Sequence, residues 1–293
     1  MLHPLGYPLL VESNDIEPLC IAAESWGAPH RLFEAPPLHL TIHVNKGDPP
    51  AAEPAYQASA YGFSLACDPS NRAEFSIRSH AACLHISRAV LDRPEWFRHQ
   101  LLECLVLTAL DTVYFVGLHA ACVVPPGNRK PGVLLCGISG SGKSTLAYAC
   151  TRAGWTFVSD DSHLAPDARN TITGSSRGIS LREPARELFP ELCGSPTVIA
   201  PNGKKCVEVN PNHAGPRLYS ASARHCVFLS RRPGRAAIRR YSEDDAVHYF
   251  MGYNTRYDRS GAERRLRDLV HGRTWLLEYD RLEDAIGILD GLA

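Results

Sequence analysis

The sequence lacks an excess of charge of either sign. Lysine and arginine together number 31, as do aspartate and glutamate, so the formal net charge at neutral pH is zero. A protein that binds nucleic acid through its phosphates needs a basic surplus to neutralise them. The charge balance therefore predicts no nucleic acid among the partners of this chain.

Long hydrophobic runs are also missing. No apolar stretch approaches the roughly 20 residues that a helix needs to cross a bilayer. The first residues, MLHPLGYPLLVESND, have neither the basic start nor the long apolar centre of a signal peptide. We therefore expect a cytoplasmic protein without a membrane partner.

Paired cysteine motifs are absent, although cysteine itself is common. Ten cysteines are spread over 293 residues, and no two of them form the C-x-x-C pair that is typical of structural zinc sites. Several lie in apolar runs. We interpret them as reduced thiols of the core and expect no zinc site.

Internal repeats and low-complexity tracts are lacking as well, and the length suggests one or two ordinary domains. We predict a smaller α+β domain at residues 1–110, with substrate binding or regulation as its candidate role. A change of pattern near residue 111 predicts a second, α/β domain at residues 111–293.

The N-terminal domain contains few clear elements. Alternating apolar residues predict strands at 38–44 and 73–78 and a further candidate at 83–87. The segment between the first two strands is rich in proline, alanine and glycine, which predicts a loop. Helical spacing of apolar residues predicts a helix at 93–110, with Pro94 near its start.

The second domain alternates strand and helix patterns. Short apolar runs and helical spacing are the two signals, and glycine and proline clusters separate them. The predicted strands are 117–124, 132–136, 156–159, 225–230, 236–241 and 275–279, and the predicted helices are 143–153, 242–250, 262–270 and 282–289.

What the sequence does contain is a glycine-rich phosphate-binding pattern. The stretch GISGSGKS, residues 137–144, matches G-x-x-x-x-G-K-[ST] between a strand pattern and a helix pattern. Glycines let backbone N–H groups turn inward, and the helix N-terminus adds positive charge at the same point. We expect Lys143 to reach the β- and γ-phosphates and Ser144 to contact Mg²⁺. The predicted nucleotide-binding residues are Gly137, Ser139, Gly140, Ser141, Gly142, Lys143, Ser144 and Thr145.

Two adjacent carboxylates, Asp160 and Asp161, follow the strand pattern at 156–159. A strand–helix–strand crossover brings the ends of its strands to one edge, so we expect the pair at the mouth of the glycine loop. One carboxylate could bind Mg²⁺ and the other could accept a proton from an attacking hydroxyl. A solvated acidic turn that caps the next element is the alternative.

His119 lies in the apolar strand pattern at 117–124. That strand could run beside the strand that leads into the glycine loop, which makes a site role conceivable. On spacing alone, a hydrogen-bonded core histidine is the more ordinary interpretation.

Three segments together resemble the catalytic domain of HPr kinase/phosphorylase and the wider group of HPr-kinase-like serine kinases. They are LHAACV at 118–123, GISGSGKSTLA at 137–147 and RAGWTFVSDD at 152–161. The resemblance covers residues 111–185. It implies an α/β fold, a P-loop kinase domain of the HPr kinase and phosphoenolpyruvate carboxykinase type.

The resemblance also implies a reaction, the Mg²⁺-dependent transfer of a phosphoryl group from ATP to a serine hydroxyl of a protein or peptide. By position, Asp160 would be the general base, and Asp161 and Ser144 would hold Mg²⁺. Lys143 would neutralise charge on the β- and γ-phosphates, and His119 would lie beside the reacting centre. Members of the family also assemble, which implies a homo-oligomer.

Downstream of the acid pair the sequence departs from the family pattern Glu-Ile-Arg-Gly-Leu-Gly. Residues 175–180 read SSRGIS, so Arg177 is a further site candidate while Ser175 stands at the acidic position. Phosphorolysis and HPr itself as the substrate are therefore not implied. Two other functions stay open: a kinase for a small hydroxylated metabolite, and a nucleotide-binding regulator without catalysis.

Overall fold

The computed structural model describes residues 1–26, 31–127, 131–167, 169–174, 178–199, 205–209, 218–253 and 258–292. Contacts divide the chain into two compact units, Met1–Tyr114 (unit 1) and Phe115–Ala293 (unit 2). The division falls after the sequence boundary at residue 110, because the helix before it continues to Val113. Both units mix helices with strands, so the fold class is α/β with several sheets.

Unit 1 is built on a six-stranded sheet. Its strands are β1 (Leu9–Ser13), β2 (Leu38–Asn45), β3 (Ala55–Ser59), β4 (Gly62–Ala66), β5 (Arg72–Ser76) and β6 (Ala81–Ser87). Their order in space is β1-β2-β6-β5-β4-β3. The pairs β1–β2 and β2–β6 are parallel, and the remaining pairs are antiparallel.

Helices cover one face of this sheet. They are α1 (Ile16–Trp26), α2 (Pro94–Trp96) and α3 (Cys104–Val113), and a π-helical segment, Phe97–Glu103, joins the last two. Leu38, Leu40 and Ile42 alternate along β2 and are buried, and α3 packs against β5 and β6. The residues that alternate with them, His39, Thr41 and His43, lie on the opposite and less buried face.

The strand predictions at 38–44, 73–78 and 83–87 and the helix from Pro94 are confirmed to within a few residues. The predicted loop between residues 44 and 73 is wrong, because it contains β3 and β4 as an antiparallel pair. Every residue of β3 is exposed, so this strand carries no hydrophobic alternation that a sequence pattern could detect. Strand β1 and helix α1 were not predicted.

Unit 2 has a nine-stranded sheet and a separate three-stranded sheet. The first contains β7 (Val116–Leu118), β8 (Ala120–Val124), β9 (Pro131–Cys136), β10 (Thr156–Ser159), β11 (Ser162–Leu164), β12 (Thr171–Gly174), β16 (Ser220–Arg231), β17 (Ala237–Arg240) and β18 (Thr274–Tyr279). The second contains β13 (Ile179–Arg182), β14 (Thr197–Ile199) and β15 (Lys205–Val209).

The order of strands around β9 positions the site. Strand β8 lies antiparallel between β9 and β10, so β9 and β10 run in the same direction without being neighbours. On its other side β9 pairs parallel with β16, which pairs parallel with β18. The carboxyl ends of β9 and β10 therefore face the same edge of the sheet.

Helices pack on both faces of the larger sheet. They are α4 (Lys143–Arg152), α6 (Glu243–Gly252), α7 (Arg259–Val270) and α8 (Leu282–Leu292), whereas the short α5 (Ala185–Leu188) packs with β13 and β15. Leu135 of β9 packs with α4 and α8 on one face, whereas Leu134 packs with α6 and α7 on the other. This alternation explains why β9 reads as an uninterrupted apolar run.

The predicted strands and helices of unit 2 are present with small shifts at their ends, except that the strand predicted at 117–124 is interrupted at His119. Strands β11 to β15, each three to five residues long, were not predicted. Within the described ranges, every helix is too short or too polar to span a lipid bilayer.

The cysteines divide into groups. Cys122, Cys136, Cys150, Cys206 and Cys226 are buried. For these five the interpretation as core thiols is confirmed. It is wrong for Cys20 and Cys193, which are exposed, whereas Cys67, Cys83 and Cys104 are only partly buried.

Candidate active site

The glycine-rich loop joins β9 to α4 and turns at three glycines. Gly137, Gly140 and Gly142 have φ angles of 144°, 91° and 95°, which side chains disfavour. A Cβ on Gly137 would lie 2.6 Å from the hydroxyl oxygen of Ser141, and one on Gly142 would lie 2.8 Å from that of Tyr279. The loop conformation therefore requires glycine at these positions.

Helix α4 begins at Lys143 directly after the loop. Its N-cap residue is Gly142, which provides no side-chain hydrogen bond to the first turn. The first N–H groups of a helix have no partner within the helix and carry its positive dipole charge. This end of α4 is therefore suited to an anion.

The loop and the start of α4 border a cavity of about 220 Å³. Its walls also include the chain between β7 and β8, the end of β10, and residues of β13 and β15. The described lining residues are His119, Ser139, Gly140, Gly142, Lys143, Ser144, Thr145, Asp160, Asp161, Ser180, Arg182 and Cys206.

The cavity brings together most of the candidates from the sequence. His119, Lys143 and Asp160, the three expected catalytic residues, all border it. Gly137 and Ser141 belong to the loop without being among the lining residues. Arg177 and Ser175 lie outside the described residues.

Lys143 is buried, with only 7% of its surface exposed. Its Nζ lies 2.6 Å from the carbonyl oxygen of Gly137, 3.3 Å from that of Ile138 and 2.9 Å from Nε2 of His119. Burial lowers the pKa of Lys143, and the attraction of Asp161 and Asp160 offsets only part of this effect. The three acceptors hold the ammonium group against the loop.

The contacts of His119 define which ring nitrogen carries the proton. A lysine ammonium group can only donate, so Nε2 of His119 must accept from Lys143. Nδ1 therefore carries the hydrogen and faces Oδ1 of Asp161 at 3.4 Å. His119 thus connects the cation of the loop to the acid pair from its place between β7 and β8, where the predicted strand is interrupted.

The two adjacent carboxyl groups have different environments. Burial raises the pKa of Asp160 to about 6, and the charge of Asp161 adds to this, although Ser144, the Ser180 N–H and Lys143 act in the opposite direction. Desolvation would also raise the pKa of Asp161, but the hydrogen bond from His119, together with the charge of Lys143, acts in the opposite direction, and the pKa of Asp161 is lowered. Pairs whose pKa values are pushed apart in this way are typical of acid–base sites.

The two carboxylates also differ in their hydrogen bonds. Oδ2 of Asp160 accepts the Ser180 N–H at 3.2 Å, whereas its buried Oδ1 has no hydrogen-bond partner among the described residues. The side chain of Asp161 is 75% exposed. Asp160 therefore offers one unpaired buried oxygen at the cavity, and Asp161 offers a solvated charge.

Tyr249 of α6 was not anticipated from the sequence. Its hydroxyl oxygen lies 2.7 Å from the carbonyl oxygen of His119 and 2.6 Å from that of Gly137, and it accepts the Gly137 N–H at 3.1 Å. The ring of Tyr253 lies against His119 at 4.6 Å between centroids. Both tyrosines are distant in sequence and belong to no motif, so no sequence signal could have identified them.

Arg182 of β13 was missed for the same reason. Its Nη2 donates to the hydroxyl of Ser139 at 3.0 Å, and Nη1 lies 3.3 Å from the position that a Cβ on Gly140 would occupy. A second cation therefore faces the glycine loop from the three-stranded sheet.

Comparison with known proteins gives little independent information. No protein-family model and no curated protein match the chain. Among the solved structures similar to it is the HPr(Ser) kinase/phosphatase from Coxiella burnetii. The match has 13% sequence identity and a TM-score of 0.31, and it covers 60% of this chain and 92% of that one. At that TM-score the neighbour is too distant to assign an activity to this chain.

Proposed function

We propose that unit 2 is an ATP- and Mg²⁺-dependent kinase that transfers the γ-phosphoryl group to a serine hydroxyl of a protein or peptide. One observation carries the proposal. A glycine loop at a helix N-terminus, a buried lysine and two carboxyl groups of opposite pKa shift all border one cavity. Phosphoryl transfer needs mainly positioning and charge stabilisation, which these groups supply.

The loop and Lys143 would bind the phosphates of ATP. N–H groups at the start of α4 would donate to phosphate oxygens. The ammonium group of Lys143 now contacts the carbonyl oxygens of Gly137 and Ile138, and phosphate oxygens would replace them. Arg182, which faces the loop from β13, would add a second positive charge near the transferred group.

The residues present also fit Mg²⁺. This ion prefers oxygen ligands, and Ser144 and Asp161 offer a hydroxyl and a carboxylate at the cavity. The unpaired, buried Oδ1 of Asp160 is a further oxygen that calls for a cation or a donor. When bound, Mg²⁺ would neutralise charge on the β- and γ-phosphates.

Asp160 would accept the proton of the acceptor hydroxyl. The hydroxyl oxygen attacks the γ-phosphorus and its O–H bond breaks. The bond between the γ-phosphorus and the bridging oxygen also breaks, and ADP leaves with that electron pair. A pKa of about 6 keeps Asp160 largely ionised at neutral pH while still making it a better base than an ordinary carboxylate. Asp161, whose pKa is lowered, stays charged and is the poorer base.

Two further side chains would position these groups. His119 lies between Lys143 and Asp161, and Tyr249 links the backbone of His119 to that of Gly137. Tyr249 belongs to α6, which is far from the loop in sequence, so only the fold brings its hydroxyl to the loop. We assign both to orientation of the loop and the acid pair.

The size of the cavity favours a large acceptor. About 220 Å³ is below the range of roughly 300–1,000 Å³ that encloses a small molecule. The phosphates and a metal ion would fill it, so the acceptor would approach from the open side. A serine that projects from a protein or peptide suits this arrangement better than a metabolite that must be enclosed.

The experiment combines purified protein, Mg²⁺ and γ-labelled ATP with lysate and with peptides encoded by neighbouring genes. Two variants are compared, Asp160→Asn in the site and Asp284→Asn, an exposed carboxylate of α8. We expect label on serine with the unchanged protein and with Asp284→Asn. Loss of the general base should reduce transfer about 10²–10⁴-fold in Asp160→Asn, with ATP binding retained.

Other outcomes would change the assignment. Tight ATP binding without transfer to any acceptor would replace the kinase by a nucleotide-binding regulator. Label on a small hydroxylated compound would redirect it to a metabolite kinase. Near-normal turnover by Asp160→Asn would show that this carboxylate is not the base.

A further inference from the structure

The face of the unit 1 sheet opposite its helices carries a compact group of side chains of the types that bind metal ions. One nitrogen each of His43 and His85 and the sulfur of Cys83 all lie within 4.8 Å of one another. The two imidazole rings stack at 4.9 Å between centroids, and the Cys83 sulfur lies 3.3 Å from Nε2 of His85. We name these three residues the His–Cys–His cluster.

Strand register brings the cluster together. Strands β2 and β6 pair parallel, with His43 opposite His85 and Thr41 opposite Cys83. Cys83 and His85 are two residues apart on β6, so their side chains lie on the same face of the sheet. All three residues are partly buried, unlike the apolar residues that alternate with them and form the core.

The neighbouring strand β5 completes the surroundings. Glu74 lies opposite Cys83 and Arg72 lies opposite His85, and an ion pair of 3.7 Å joins their side chains. The charge of Arg72 is thus partly compensated beside the cluster.

We propose that the His–Cys–His cluster binds a divalent transition-metal ion of borderline softness, with Zn²⁺ as the best fit. Two imidazole nitrogens and one thiolate are ligands that zinc prefers over magnesium or calcium. Zinc–ligand bonds of about 2.0–2.3 Å in a tetrahedron place ligand atoms roughly 3.4–3.7 Å apart. The Cys83–His85 separation of 3.3 Å is slightly shorter than this and the remaining separations are at most 4.8 Å, so small side-chain rotations would bring all three ligand atoms into range.

Three protein ligands leave one tetrahedral position for water or another ligand, as in open zinc sites. Binding must release the Cys83 proton, because the thiolate is the ligand. Burial and the charge of Glu74 raise the pKa of this thiol, so the metal has to displace a proton that is held at neutral pH. This site lies in unit 1 and does not depend on the function proposed for unit 2.

The test uses Co²⁺ as a spectroscopic substitute for Zn²⁺ on untagged, full-length protein kept reduced with a phosphine. Cobalt bound to a thiolate gives charge-transfer absorption in the near ultraviolet, which oxygen ligands in unit 2 cannot produce. We expect this absorption to saturate at one Co²⁺ per chain and to be displaced by Zn²⁺. Cys83→Ser should abolish it, and His85→Asn and His43→Asn should weaken Co²⁺ binding at least about tenfold.

Matched controls separate the cluster from other thiols and histidines. Cys20→Ser removes an exposed cysteine of the same unit, and His39→Asn removes an exposed histidine of the same strand. Both should bind Co²⁺ like the unchanged protein. Circular dichroism checks that each variant is folded, and calorimetry with Zn²⁺ provides a second measurement of binding.

Two results would overturn the proposal. One is the absence of cobalt–thiolate absorption in the unchanged, folded protein together with no heat of Zn²⁺ binding. The other is absorption that persists in Cys83→Ser, which would locate the thiolate elsewhere.

Discussion

The two units assemble polar groups in different ways. In unit 2 the glycine loop and Lys143 are contiguous in sequence, and the acid pair follows one helix and one strand later. In unit 1 the His–Cys–His cluster draws on two strands whose partners are set by sheet register. A group of residues that forms a local sequence motif can therefore be predicted from the sequence, whereas a group brought together by strand register cannot.

The two sites also differ in how much they destabilise the folded state. The unit 2 site contains a buried lysine, a carboxyl group with a raised pKa and three glycines at positive φ. The unit 1 cluster lies on regular strands and is partly solvated. We therefore expect substitutions at the unit 2 site to lower activity while raising stability. Substitutions in the unit 1 cluster should leave stability nearly unchanged.

After Asp160→Asn, the largest effect on transfer should come from Lys143→Ala, which removes the buried cation of the loop. Loss of one charge-stabilising donor of this kind reduces transfer by about 10²–10³-fold. ATP binding measured by calorimetry should weaken as well, whereas Lys46→Ala, an exposed lysine of unit 1, should bind and react normally. Unchanged ATP affinity in Lys143→Ala would remove the phosphate-binding role of the loop.

The pH dependence of transfer should follow the acid pair. Because Asp160 acts as a base and its pKa is raised to about 6, kcat/KM should be flat above that pH. It should fall about tenfold for each pH unit below it. The apparent pKa obtained from this profile belongs to the coupled pair of Asp160 and Asp161. A profile without a limb between about pH 5 and pH 7 would contradict the assignment of the base.

Tyr249→Phe should have a smaller effect. The hydroxyl group links the carbonyl oxygens of His119 and Gly137, and one net hydrogen bond contributes about 0.5–1.5 kcal/mol. We expect transfer to fall about 2- to 12-fold, the same energy expressed as a rate. Tyr148→Phe, a tyrosine of α4 whose hydroxyl contacts Glu191 outside the cavity, is the control and should react normally.

The smallest effect concerns the stability of Asp160→Asn. Ionising a carboxyl group whose folded-state pKa is raised disfavours the folded state, and this penalty is complete above about pH 6 and vanishes as the pH falls towards the ordinary value of 3.8. The asparagine variant should therefore melt about 2–4 °C higher at alkaline pH, which corresponds to on the order of 1 kcal/mol. The gain should shrink in acid, as differential scanning calorimetry would measure.

Cys83→Ser completes this comparison. In the absence of metal its melting temperature should match that of the unchanged protein below the ordinary thiol pKa of 9.0, because the thiol stays protonated there in both states and Cys83 is partly exposed in a regular strand. A pH-dependent gain in stability like that of Asp160→Asn would show that the two sites are not as different as their burial indicates.

Much of the larger sheet of unit 2 could be predicted, and little of the three-stranded sheet. Strands such as β9 and β10 are buried on both faces and read as continuous apolar runs. Strands β13 and β15 are short and separated by long connections, so the position of Arg182 and Cys206 at the cavity had no local signal. The same holds for the exposed strand β3 in unit 1.

The sequence by itself determined the glycine loop, its strand and helix, and the acid pair at the end of the next strand, because each depends on residues close together in the chain. The contacts of His119 with Lys143 and Asp161 depend on the tertiary structure, and so do those of the Tyr249 hydroxyl with the backbone of His119 and Gly137. The tertiary structure also decided that His43 meets Cys83 and His85. Those contacts arise from strand register and from the packing of a distant helix, and neither leaves a pattern in the order of the residues.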